Sequence, residues 1–140
     1  MRKKKILVAV DGSPLSDKVI DQALAFAQLF DSTLVLVHCH EKFPTLLGQP
    51  YRDKEIASIL NRGEQLIKPY LEKIRAQKVD VEERLMEEPA GKAISEVAKV
   101  EQCEMIVMGS RGLSDLAHLV VGSVTNRVLQ TAPCSVLVVR

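Results

Sequence analysis

Strand and helix signals alternate along this 140-residue chain, which predicts an α/β fold built on an open parallel sheet with right-handed crossovers. Three observations carry that prediction. Short unbroken apolar runs, such as Ile6–Val10 and Met105–Met108, suit strands that are covered on both faces. The longer segments between them repeat apolar residues at i, i+3 and i+4, which gives helices with one buried stripe. A glycine-bearing loop then joins the strand ending at Met108 to the next helix. Helices laid between parallel strands cover both faces of such a sheet.

Taken in order, Ile6–Val10 is the first strand, and Asp11-Gly12-Ser13-Pro14 is a turn. Ser16 is placed to cap the helix that follows. That helix buries Val19, Ile20, Ala23, Leu24, Ala27 and Phe30, and Asp31 ends it by accepting the left-handed conformation. Thr33–His38 is the second strand. Residues 39–52, with Pro44, Gly48 and Pro50, form the longest irregular stretch, a length typical of a lid or a disordered excursion. A second helix runs from about Asp53 to Gln77, with an apolar face from Ile56 to Ile74 that includes Gly63. Pro69 inside it predicts a bend.

Val79–Met86 is the third strand, polar enough to lie at a sheet edge. Pro89 opens a third helix carrying Ala93, Ile94, Val97 and Ala98. The run Met105-Ile106-Val107-Met108 is the fourth strand, and Val124, Val128 and Leu129 fall at helical spacing after Ser123, the candidate N-cap. Ser135–Arg140 is the last strand. No internal repeat, low-complexity segment or linker interrupts the chain, so residues 1–140 read as one domain.

Composition narrows the function. Hydrophobic residues make up 46% and charged residues 26% of a chain with net charge +1, so nothing calls for nucleic acid or an acidic membrane. The cluster Arg2-Lys3-Lys4-Lys5 reads as a solvated lead-in to the first strand. No apolar run approaches the roughly 18–20 residues of a membrane span, and the sequence predicts no signal peptide. Cys39, Cys103 and Cys134 are an odd set without a C-x-x-C. They suit a reducing compartment, and a cytoplasmic location is expected.

The stretch from Met108 to Thr125 carries the chemistry. Gly109, Gly112 and Gly122 lie where a ligand could meet bare backbone. The amides of Ser123 and Val124 open a helix whose dipole favours negative charge, and Arg111 adds a planar cation suited to phosphate. The spacing Gly-x2-Gly-x9-Gly-Ser is neither the P-loop nor the dinucleotide-fold pattern. It describes a phosphate cradle.

With this motif, Val8-Ala9-Val10-Asp11-Gly12-Ser13 near the start and Pro133-Cys134-Ser135-Val136-Leu137-Val138-Val139 at the end, the whole chain resembles the universal stress protein family, in its ATP-binding branch. The resemblance implies a five-stranded Rossmann-like sheet of the adenine nucleotide alpha hydrolase-like type, in the order 3-2-1-4-5. The strand characters agree: strands one and four are the most apolar, strand three the most polar. In that order the chain reverses direction between strands one and four, and open α/β sheets bind ligands at such a switch. The resemblance also implies ATP as ligand, a base held through the main chain of Val37 and His38, and dimerisation through the last strand (Val136, Leu137, Val138, Val139).

Across the ligand the expected contacts are Val10, Asp11, Gly12, Ser13, Val37, His38, Met108, Gly109, Arg111, Gly112, Gly122, Ser123, Val124 and Thr125. Asp11 would repel a phosphate, so it suits a ribose hydroxyl or a water-coordinated Mg²⁺; its plainer role is a turn or capping residue. His38 and His40 share one face of an extended segment, but no third metal ligand stands at recognisable spacing. His118 reads as a surface or packing residue rather than a general base.

For catalysis there is no nucleophile elbow and no P-loop lysine. Phosphoryl transfer wants a base or water-positioning group with cationic support, and only Arg111 and Asp11 qualify. The sequence supports holding a nucleotide better than turning one over. A flavodoxin-like FMN protein would put its phosphate loop after strand one, where Asp11 stands. A receiver domain would need an acceptor Asp ending strand three, where Met86-Glu87 stands. A nucleotide-free dimeric interaction scaffold of the same fold is the remaining rival, and the intact glycines weigh against it.

Overall fold

The computed structural model describes residues 2–112 and 121–140. Among them are β1 (Lys5–Ala9), α1 (Leu15–Phe30), β2 (Thr33–His40), α2 (Tyr51–Ala76), β3 (Val81–Glu87), α3 (Ala90–Val100), β4 (Met105–Gly109), α4 (Ser123–Thr131) and β5 (Ser135–Val139). All strand pairings are parallel, and the sheet order is β3-β2-β1-β4-β5. The expected architecture is therefore present, with β3 and β5 at the edges and the switch between β1 and β4.

Period-two alternation divides the strands between two cores. Ile6, Val8, Leu34, Leu36 and Val107 point to one face, where they meet Val19, Ile20, Ala23 and Ala27 of α1 and Ile67, Leu71 and Ile74 of α2. Leu7, Val35, Val37, Ile106 and Met108 point to the other, against Ile94, Val97 and Ala98 of α3 and Val128 of α4. The central strands thus bury both faces, which is why their sequences are unbroken apolar runs.

Local chemistry sets several boundaries. Asp31 takes the left-handed conformation at φ 50° and ψ 53° and ends α1. Pro69 lies inside α2. Three expectations are corrected. Neither Ser16 nor Ser123 is an N-cap: α1 is preceded by Pro14 and α4 by Gly122, both without a side-chain cap bond. Phe30 is 54% exposed rather than buried; as the last helical residue it stacks on Phe26, with ring centroids 6.0 Å apart. The irregular stretch is shorter than 39–52, because β2 continues to His40 alongside β3 and α2 already begins at Tyr51.

At the foot of the sheet, opposite the carboxyl ends of the strands, Lys5 Nζ lies 2.9 Å from Glu101 Oε1 and 3.0 Å from Glu82 Oε2. Arg84 bonds Glu101 from the side at 3.1 Å. The bond from Lys5 is the main reason that Glu101 titrates below its ordinary 4.5, and the same contact raises Lys5. A carboxylate with a lowered folded pKa contributes stability above its unfolded value and loses it as pH falls through the folded one. Lys5→Met leaves Arg84 as the remaining cation for Glu101 and Glu82, at 3.1 and 4.0 Å, and is expected to cost about 1 kcal/mol at neutral pH. That cost should fade as pH drops below about 4, which thermal melts of both proteins across pH will check.

Candidate functional site

The site is built where β1 and β4 end and their chains part to opposite faces. Val10 continues β1 by donating its N–H to Val37 O at 3.0 Å. The chain then turns at Gly12, whose φ of +81° favours glycine; a Cβ there would also meet Leu66 Cδ1 at 2.9 Å. Asp11 stabilises this turn, its Oδ1 accepting from Ser13 N at 2.9 Å and from Ser16 Oγ at 3.1 Å. Ser16 therefore holds Asp11 instead of capping α1, and Asp11 fills the turn role that its position suggested.

On the β4 side, Gly109 is where the backbone needs room. A Cβ at this position would lie 2.8 Å from Leu15 Cδ2 and 3.2 Å from Arg111 O. The loop is tied to its neighbours on both sides: Ser110 N donates to Val139 O at 2.8 Å, and Gly122 N to Ser110 O at 2.6 Å. The buried Thr125 hydroxyl donates to Gly109 O at 2.7 Å, so the first turn of α4 is fastened to the end of β4. The leading amides of α4 have no intrahelical acceptor, and the helix brings them to the switch point.

Between these walls lies a cleft of about 450 Å³, within the range of small-molecule sites. Of the expected residues, Val10, Asp11, Ser13, Val37, His38, Met108, Gly109, Arg111, Gly112, Val124 and Thr125 line it together. Gly12, Gly122 and Ser123 are not among its lining. Gly12 is exposed in its turn. Gly122, at φ −73° and ψ 166°, has a backbone that any residue adopts, and Ser123 is exposed as the first residue of α4. His118 lies outside the described residues.

Main-chain parity corrects the base-side expectation. Thr33 N donates to Lys4 O and Val37 O accepts from Val10 N, whereas Leu34 N donates to Asp80 O and His40 O accepts from Glu88 N. Odd residues of β2 thus face β1 and even residues face β3. The carbonyl of Val37 already bonds Val10, and the amide and carbonyl of His38 are turned to β3. Cys39 is the next odd residue, beyond the last pairing of β1 at Ala9, so its N–H and C=O are directed at the cleft. Sequence periodicity could not reveal this, because it depends on where β1 stops. The Cys39 thiol packs on the α3 side, and burial pushes it up to about 12, so it is no nucleophile at neutral pH.

The sequence reading also missed the wall supplied by α2, namely Ile59, Arg62, Gly63 and Leu66. A glycine within an apolar helical stripe was the available signal. At the mouth, Arg62 pairs with Glu41 at 2.9 Å and Glu55 at 3.4 Å, a solvated link of small energetic worth. His38 and His40 are engaged separately, through Nδ1 to Val10 O at 3.0 Å and to Glu41 O at 2.8 Å. Among the described residues no group of three or more His, Cys, Asp or Glu could hold a metal ion.

This arrangement has known relatives. The model of the universal stress protein family matches residues 3–140. A universal stress protein of Thermus aquaticus is 34% identical over 137 residues, covering 98% of each chain. Among solved structures, the universal stress protein UspA from Lactobacillus plantarum superposes with a TM-score of 0.83 at 20% identity, over 100% of this chain and 99% of that one. A universal stress protein from Archaeoglobus fulgidus in complex with dAMP covers all of both chains, with a TM-score of 0.67 and 22% identity. With its sheet order and a family match over nearly its full length, the chain belongs to the universal stress protein family.

Proposed function

We propose that this chain binds ATP in the switch-point cleft and acts as a nucleotide-dependent regulatory module in the response to stress. The observation that carries the reading is the close-approach backbone of Gly109, fastened by Thr125 to the helix start beside Arg111. It offers amides, a helix dipole and a cation to one anionic group. The dAMP held by the Archaeoglobus fulgidus relative supports an adenine nucleotide as ligand. The phosphates lie against Gly109, Arg111, Gly112, Val124 and Thr125, the ribose near Val10, Asp11 and Ser13, and the base against the main chain of Cys39. Mg²⁺ accompanies the nucleotide: a single carboxylate, Asp11, reaching the ion through water beside the phosphates suits its preference for oxygen ligands.

The module works as a homodimer through β5, in the cytoplasm. Three free thiols at Cys39, Cys103 and Cys134 support the reducing compartment. The direct test is calorimetric titration with MgATP, alongside the mass and absorbance of any small molecule that co-purifies. Saturable binding and an adenine spectrum support the reading. No binding in a folded protein hands it to the nucleotide-free scaffold.

Turnover is expected to be slow. Among the described residues no lysine lines the cleft, and Asp11, bonded through Oδ1 to Ser13 and Ser16, is assigned to the ribose and the ion rather than to an attacking water. Phosphate release at saturating MgATP should stay below about one per second, the lower end for working kinases. A faster rate would reveal a catalytic group that this reading lacks.

A further inference from the structure

We propose that the imidazole of His38 is a direct ligand contact that reads the exocyclic amino group of the bound base. The proposal deepens the ATP reading above and rests on it. His38 follows Leu34 and Leu36 on β2, so its ring lies on the face covered by α1 and α2. Its Nδ1 is 3.0 Å from Val10 O. A carbonyl oxygen only accepts, so the ring carries a proton on Nδ1, and in the neutral imidazole Nε2 presents a lone pair.

The ring's direction follows from its two neighbours. Nδ1 is turned to the end of β1, while Cδ2 lies 3.7 Å from where a Cβ would stand on Gly63 of α2. The Nε2–Cε1 edge is therefore directed away from the sheet, into the cleft that His38 lines. Gly63, having no side chain, leaves room beside the Cδ2 side of the ring. Among the described residues Nε2 has no hydrogen-bond partner.

The surroundings select the occupant. Val19 of α1 and Ile59 and Leu66 of α2, the helices over this face of the sheet, also line the cleft, and apolar walls suit a flat base more than a sugar or phosphate. Within it, a fixed acceptor favours a ligand with an N–H donor. A base carrying an oxo group there would meet acceptor with acceptor, and a base with neither group would leave Nε2 unsatisfied. The main chain of Cys39, one residue on, reads the rest of the same edge.

The test compares MgATP with purine riboside 5′-triphosphate, which lacks the 6-amino group, on the wild-type protein and on His38→Asn. Asparagine keeps a donor near the place of Nδ1 and removes Nε2. The wild type should favour ATP by at least three- to tenfold, one neutral hydrogen bond, and His38→Asn should shrink that preference by a similar factor. An unchanged preference in His38→Asn, or equal weakening of both nucleotides, overturns the proposal while leaving ATP binding established. A wild type that binds neither nucleotide overturns the parent reading and this one with it. Should His38→Asn fail to fold, nitrogen NMR of histidine-labelled wild type decides. ATP must move the Nε2 resonance and leave Nδ1 in place; an unmoved Nε2 overturns the proposal.

Discussion

Gly109→Val is expected to weaken ATP binding by about a hundredfold while the sheet still forms. A Cβ at Gly109 meets two different obstacles. Leu15 Cδ2, at 2.8 Å, is the end of a flexible side chain and can rotate away. Arg111 O, at 3.2 Å, is backbone and can yield only if the loop moves. The branched carbons of valine reach further still. Moving the loop shifts Arg111 and strains the bond from the Thr125 hydroxyl to Gly109 O, so the anion-binding face and the helix start lose their register. Overpacking of this kind costs about 1–3 kcal/mol, and spent on the bound geometry its upper end is about a hundredfold in Kd.

Gly48→Val is the control, since a Cβ there meets nothing within 4 Å and binding should stay at the wild-type level. Calorimetry gives the affinities, and circular dichroism confirms the fold. Normal ATP binding by a folded Gly109→Val protein would remove the phosphate cradle from this loop. Gly122 is the weaker choice for such a test, because its φ of −73° and ψ of 166° suit any residue.

The features legible in the sequence are those fixed by local pattern. Leu7 and Val8, or Ile106 and Val107, are adjacent and both fully buried, and only a strand covered on both sides asks for that. The polar residues Glu82, Glu83 and Arg84 marked β3 as an edge, and Asp31 marked a helix end through the left-handed conformation it tolerates. What escaped depends on distant parts of the chain. Ser16 looks like a cap by its neighbours, but the carboxylate of Asp11 captures its hydroxyl. Cys39 gains its proposed role only because β1 stops pairing at Ala9. The wall from α2 arises because that helix crosses the mouth of the cleft, where Gly63 stands over His38. Apolar periodicity places α2 on the sheet without saying which turn overhangs the cleft.

Val138→Pro is expected to convert the proposed dimer to monomers while leaving each fold and its ATP binding intact. β5 is an edge strand, and its backbone parity is fixed by Ser110 N donating to Val139 O. Odd residues of β5 therefore bond β4, whereas Val136 and Val138 present their N–H and C=O outward. Val136, Leu137 and Val138 are only half-buried, and within the strand no charge or proline blunts the edge. An apolar edge of this kind pairs with another strand unless it is blocked. A second copy of the same strand gives a self-complementary two-fold contact. Proline at 138 removes one outward donor and spares the β4–β5 ladder, and Leu137, already extended, meets the demand on the residue before a proline. Sedimentation should show the halved mass. A dimer that persists in Val138→Pro, with the wild-type sedimentation coefficient, places the interface on another surface, because neither the outward amide nor the flat edge it needs would remain.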